Sequence, residues 1–407
     1  MSHGRRRALR ATDPSRTGAS GRLRPVRPVV LAAAALVLAS CASVGGTASA
    51  PTVPSGVSSV LSSAATSAGP ASTSASPSSA SGAGTSSGTT TSSGAASSGS
   101  STTATRGAIP GVPHSTPLPE TDLIVTRAVD GKPDMYIVDT VTGAVGDRIT
   151  TDAPGSQYPT LSPDRGSIVY LQGGDKNALH MMAADGSGDR PLLPADADFC
   201  PAPQRPAWNP ADPTEIAVAC GGGDEGNRLV LIGVDGTLRS TINTGLRSFD
   251  DPTYSPDGKT LAFWGTQDEG AQGGALYVQP ANGSGTPKQI TTPGAKANDT
   301  DPIWSVDGSS IIFRRATEDG GGGQSAQILE IKADGSGLTP VTDGTAFDQD
   351  PTASPDGKQI AFLSNRVNAA GNNDGQVWVI NLDGTGLRQI GIGKPGNAAG
   401  APEWGRR

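Results

Sequence analysis

The sequence predicts an all-β fold: a six-bladed β-propeller of four-stranded antiparallel blades. Three observations carry this. First, a short phrase built around a proline recurs six times between Ser156 and Trp404. Its prolines are Pro159, Pro206, Pro252, Pro302, Pro351 and Pro402, spaced by 47, 46, 50, 49 and 51 residues. Second, two glycine-containing turns recur inside the repeats, and the segments between them are too short for helices but right for strands. Third, the two ends are complementary. Three strand-like segments precede the first phrase, and one follows the last full repeat.

Each repeat reads as four strands in order. The proline phrase is the first, and its clearest copies are Asp251-Pro252-Thr253-Tyr254 and Asp350-Pro351-Thr352-Ala353. A Ser-Pro-Asp-Gly turn follows, as at Ser255–Gly258, where proline presets φ and glycine supplies the positive φ. The second strand is a continuous apolar run such as Ile311–Phe313 or Ile360–Leu363. A loop rich in glycine and carboxylates leads to the third strand, for example Val377–Ile380. A second tight turn then recurs at Asp185-Gly186, Asn282-Gly283, Asp334-Gly335 and Asp383-Gly384, a strong hairpin signal. Blade closure follows from the ends: Leu123–Thr126, Met135–Asp139 and Val145–Thr150 lack a first strand, and Ala401–Trp404 supplies it. The C-terminal strand should complete the N-terminal blade, with Trp404 in the place that Trp208, Tyr254 and Trp304 take in theirs. Such a ring has no bare sheet edge at its seam.

These phrases resemble the TolB-type propeller repeat, a WD-like blade whose pattern is Pro-x-Trp-Ser-Pro-Asp-Gly-Lys-x-Ile-Ala-Phe followed by Asp-Gly-Ser-Gly-Leu. The resemblance covers about Thr121 to Trp404 and concerns the propeller alone. The third repeat departs from it, with Asn209-Pro210-Ala211-Asp212-Pro213 replacing Ser-Pro-Asp-Gly. TolB's additional N-terminal domain has no counterpart here.

Residues 1–40 read as a lipoprotein signal peptide. Eight arginines precede the eleven-residue apolar run Val29–Ala39, which is too short to span a bilayer. Leu38-Ala39-Ser40-Cys41 is a lipobox, so Cys41 is the expected lipidation site, carrying diacylglycerol and palmitate-type acyl chains. Residues 41–106 form a stalk: from Ala42 to Thr105 no charged residue occurs, and Ser, Thr, Ala, Gly and Pro dominate. A chain of that composition cannot bury enough apolar surface to fold. As a flexible coil it would span roughly 40–50 Å. The propeller domain is then 107–407, with 22 basic against 37 acidic residues, a net charge of −15. That charge excludes nucleic acid and anionic surfaces as natural partners.

Candidate chemistry is sparse. Three histidines occur, and only His180 falls on a propeller strand, where packing is its expected role. Gly84-Thr85-Ser86-Ser87-Gly88 matches a hydrolase elbow pattern but lies in the stalk. No phosphate loop or zinc spacing exists, and neither cofactor nor metal is implied. Cys200 and Cys220 fall on one face of one blade, which in an exported protein reads as a disulfide. The candidate ligand-binding residues are Asp251, Asp301 and Asp350, which precede proline in three consecutive blades, with Asp299 and Asp348 beside them. Such a half-ring suits a cationic peptide group or a calcium ion, with Arg205 the nearest balancing charge. Asp before Pro also serves structurally as a turn cap. The loops between second and third strands, longer and less regular than the turns, mark the opposite face as the expected recognition face.

The expected function is a monomeric, non-enzymatic binding module, lipid-anchored to a bacterial cell membrane and facing outside the cytoplasm. Its partner would be a cell-envelope protein or glycan. The alternative is a propeller enzyme, a polysaccharide lyase or hydrolase, working through the axial carboxylates and a bound metal.

Overall fold

The computed structural model describes residues 108–405, apart from 130–131, 151–154, 174–176, 195, 222–226, 268–272, 295, 319–323, 368–370, 372–374 and 391–398. The signal peptide, Cys41 and the stalk lie outside the described residues. So do the tips of the long loops. No described helix is long and apolar enough to cross a membrane.

Six four-stranded antiparallel sheets form the propeller. Their inner strands are Ala399–Glu403 in blade 1, Ser156–Leu161 in blade 2, Pro203–Trp208 in blade 3, Ser248–Tyr254 in blade 4, Ala297–Trp304 in blade 5 and Asp348–Ala353 in blade 6. Blade 1 is the composite one. Its second strand, Asp122–Val129, pairs on one side with Lys132–Asp139 and on the other with the C-terminal strand, Ile124 opposite Glu403 and Thr126 opposite Gly400. Trp404 is 3% exposed and takes the position Trp208, Tyr254 and Trp304 hold, its indole N–H donating to the Glu120 carbonyl at 2.8 Å.

The core is divided among the gaps between blades rather than gathered at one centre. Six apolar clusters fill the six blade-to-blade interfaces. Blade 2 shows how the sequence builds two of them. Ile168 and Tyr170 face blade 1, while Val169 and Leu171 face blade 3, because successive strand side chains point to opposite faces. A strand buried on both faces must be apolar throughout, which explains runs such as Ile311-Ile312-Phe313.

The Ser-Pro-Asp-Gly turns are locked by their own side chains. In blade 4 the Ser255 hydroxyl donates to Asp257 Oδ1 at 2.7 Å, and the same carboxylate oxygen accepts the Lys259 N–H at 3.1 Å. Blades 5 and 6 repeat this with Ser305–Asp307 and Ser354–Asp356. These turns share one face of the disc.

Candidate ligand-binding site on the propeller axis

Aligning the six phrases puts one residue per blade immediately before its proline: Ala401, Tyr158, Arg205, Asp251, Asp301 and Asp350. In blades 2 to 6 the inner strand slips register around this point, between Gln157 and Thr160, Pro203 and Pro206, Asp250 and Thr253, Thr300 and Ile303, and Gln349 and Thr352. Tyr158, Asp251, Asp301 and Asp350 also adopt φ of 53°, 55°, 54° and 51°. A non-glycine residue held there costs about 1–3 kcal/mol. The bulge leaves one residue unpaired and re-aims its neighbour's side chain, and proline suits it because it lacks the N–H that would go unbonded. The aspartates therefore do not cap turns. Each sits inside its inner strand and is turned toward the axis.

Arg205 reaches across that axis and gathers all three. Its Nε lies 3.0 Å from Asp251 Oδ1, Nη1 3.3 Å from Asp301 Oδ1, and Nη2 2.6 Å from Asp350 Oδ1. The Tyr158 ring packs on the guanidinium at 4.2 Å. Arg314 adds a second cation, 3.5 Å from Asp301 Oδ2, and donates to Gln349 at 3.1 Å. The carboxylates also link blade to blade: Asp251 Oδ2 accepts the Asp301 N–H, and Asp301 Oδ2 accepts the Asp350 N–H, both at 3.4 Å.

The charges are unequally compensated. Burial opposes ionisation of Asp301, but Arg314 and Arg205 outweigh it and hold its carboxyl below the usual range. Burial prevails at Asp251 and Asp350 and raises both against the pull of Arg205. It also pushes the adjacent Asp250 up to about 7. For Arg205, burial works against the charge and the three carboxylates restore it, keeping the guanidinium protonated.

Asp299 and Asp348 lie in the same inner strands but do not join this layer. Asp299 is fully buried and takes two bonds from Arg315, at 2.6 and 2.7 Å. Asp348, equally buried, accepts from the Ser364 hydroxyl at 2.6 Å and from Arg366 at 2.7 Å. Arg366 bridges on to Asp343 and holds that carboxyl down to about 2.

A cavity of about 140 Å³ begins at the axial layer. All six phrase prolines line it, together with the layer residues, Thr160, Ile303, Trp208 and Glu403. No lining residue lies on the loop side of the layer, while Pro163 and Pro210 of the tight turns do contribute. The cavity therefore extends toward the turn face, opposite to the face that loop length favours. Among the described residues, no cluster of three or more His, Cys, Asp or Glu side chains is arranged to hold a metal ion. Arg205 occupies the place among the aspartates where a cation would sit.

Cys200 and Cys220 are joined by a disulfide, Cα to Cα 5.0 Å, within the cluster between blades 2 and 3. His180 is 8% exposed, contacts Asp189 at 3.2 Å and packs against Tyr170, away from the axis. Two contributors to the axial layer carry a weaker sequence signal. Tyr158 is visible in the phrase alignment, since it holds the pre-proline place. Arg314 comes from a second strand, and nothing in its local sequence marks it.

Residues 245–402 match the family model described as the TolB beta propeller domain. No curated protein matches the sequence significantly. Among solved structures, TolB from Acinetobacter baumannii aligns with a TM-score of 0.55 at 15% identity, over 70% of this chain and 66% of that one. A structure from Agrobacterium tumefaciens assigned to TolB aligns with a TM-score of 0.52 at 20% identity, over 66% and 88%. Hydrazine synthase from Kuenenia stuttgartiensis aligns with 0.54 at 14% identity, over 70% and 46%. At these identities the likeness is one of fold. The chain therefore carries a six-bladed β-propeller, of which residues 245–402 match the TolB beta propeller domain.

Proposed function

We propose that the protein is a binding module held outside the cytoplasm, taking a segment of another envelope protein into the axial cavity of its propeller. The carrying observation is the axial layer itself. Its carboxylates, the candidate set for acid–base or metal chemistry among the described residues, are paired with Arg205 and Arg314 at 2.6 to 3.5 Å, which leaves one Asp350 oxygen facing the cavity. What they leave is a preformed recess with a polar floor and proline walls, the form of a binding pocket. Residues 1–40 and Cys41 support export and lipid anchoring, and a buried disulfide fits an oxidising compartment.

The test is photo-crosslinking in the native envelope, with a benzophenone side chain replacing Ile303 in the cavity or Val367, which is 66% exposed and outside it. A discrete protein adduct from the Ile303 position alone is expected. Absence of any adduct there would count against the proposal. Turnover of a polysaccharide that is lost on adding EDTA, and lost in Asp301→Asn, would replace it with the enzymatic reading.

A further inference from the structure

We propose that the segment entering the axial cavity is basic and delivers one lysine or arginine side chain to the carboxylates at the floor. This rests on the binding reading above and adds the chemistry of the ligand. The first ground is unequal charge. Asp250, Asp251, Asp301 and Asp350 meet at or beside the layer against two guanidinium groups, so the carboxyls are under-compensated: burial raises Asp250, Asp251 and Asp350, and a further cation would favour their ionised form. The second is a specific open acceptor. The Asp350 side chain is nine-tenths buried and faces the cavity, and its Oδ1 is taken by Arg205 at 2.6 Å. Its Oδ2 meets no donor among the described residues, whereas the second oxygens of Asp251 and Asp301 each accept a backbone N–H.

The third ground is the wall. Arg205 is the one basic residue lining the cavity, and Glu403 adds a further acid. Six proline rings, Trp208 and Ile303 give the rest of the surface an apolar character. An apolar shaft ending in carboxylates is complementary to a methylene stem ending in a cation. From the layer to Trp208 is three residues of strand, about 10 Å, a depth a lysine or arginine side chain can enter without its backbone leaving the mouth. A carboxylate ligand would meet three aspartates around Arg205, the one cation lining the cavity. A neutral ligand would leave Asp350 Oδ2 unpaired, at the cost of a buried acceptor without a donor.

Calorimetric titration of the chain with a capped alanine heptapeptide carrying one central lysine tests this, with the same peptide Nε-acetylated as the comparison. The lysine peptide should bind, the acetylated one about tenfold more weakly or not at all, and added salt should weaken the interaction. Asp350→Asn should weaken binding about tenfold, removing one charge of the floor. Thr160→Trp fills the cavity without changing charge and should abolish binding, which guards against misreading a folding defect in Asp350→Asn. Equal binding of the two peptides, or wild-type affinity in both variants, would overturn the proposal. A protein adduct at Ile303 whose crosslinked segment lacks lysine and arginine would also overturn it, while leaving the binding function standing.

Discussion

At the scale of single residues, Arg165 has the largest structural consequence outside the axis. It stands where the other turns have glycine, at φ 61°, and is 5% exposed. Its guanidinium donates to the carbonyls of Leu118 at 2.9 Å, Pro119 and Asp122 at 2.7 Å, Gly405 at 3.3 Å, and Trp404. It thereby ties together the approach to blade 1, the start of that blade and the end of the chain. Arg165→Ala should destabilise the protein by roughly 3 kcal/mol or more, since several buried carbonyls lose charged donors together. Arg165→Gly should be milder by about 1 kcal/mol, because glycine occupies positive φ without strain. Chemical denaturation of the two variants checks both the size and the order. Equal stability of Arg165→Ala and wild type would mean the seam is held elsewhere. The departure from Asp-Gly at Asp164-Arg165 was visible in the sequence, but its meaning was not. Every acceptor of the Arg165 guanidinium is a backbone carbonyl, and a carbonyl leaves no trace in residue identity. Arg205 was easier to recognise, because its partners are aspartates at the same place in neighbouring repeats.

At the scale of elements, the repeat made the blades legible while the segment that fastens the first blade stayed hidden. Residues 109–120 run as a strap over the turn end of blade 2. Ile109 and Val112 join the cluster between blades 2 and 3, and the Ser167 hydroxyl donates to the Pro113 carbonyl at 2.6 Å. Ser115 N–H donates to Gly166, and His114 contacts Asp164 at 2.9 Å. A β-carbon on Gly166 would collide with the His114 ring, so a larger residue there would displace His114 from its contact with Asp164. The strap has no period and bonds mainly to main chain, which is why hydrophobic patterning passes over it. The C-terminal strand was readable for the opposite reason, as the missing quarter of a repeated unit. Removing residues 400–407 takes away Trp404, two of the five Arg165 acceptors and most of the inner strand of blade 1 in one step. Insoluble protein is expected, or a Tm lower by on the order of 10 °C, since several kcal/mol are lost. Unchanged thermal unfolding after this deletion would show that the ring closes without the C-terminal strand.

At the scale of the whole molecule, two populations of aspartate pull stability in opposite directions as pH changes. The turn aspartates Asp185, Asp235, Asp257, Asp307, Asp334, Asp356 and Asp383 are held below the usual range, first by hydrogen bonds from Ser or Thr hydroxyls. A depressed carboxyl adds stability that is present above its unfolded pKa and lost as pH falls through its folded one. These groups sit at exposed turns, so solvent screening keeps each contribution small. Three of the axial aspartates behave in reverse. Burial raises Asp250 to about 7, and raises Asp251 and Asp350 as well. A carboxyl raised in the folded state stabilises most below its unfolded pKa, near 3.8, and that stability drains as pH rises through the folded value. The sum is a protein whose Tm should be highest mildly acid, near pH 5, and should fall between pH 5 and pH 8. Thermal unfolding across that interval, in wild type and in Asp250→Asn, is the measurement. The variant has no proton to lose at this site, so its Tm should decline less steeply. A wild-type Tm that is flat or rising from pH 5 to pH 8 would mean that Asp250 is already ionised in the folded protein, with Arg205 compensating more of the axial charge than burial withholds.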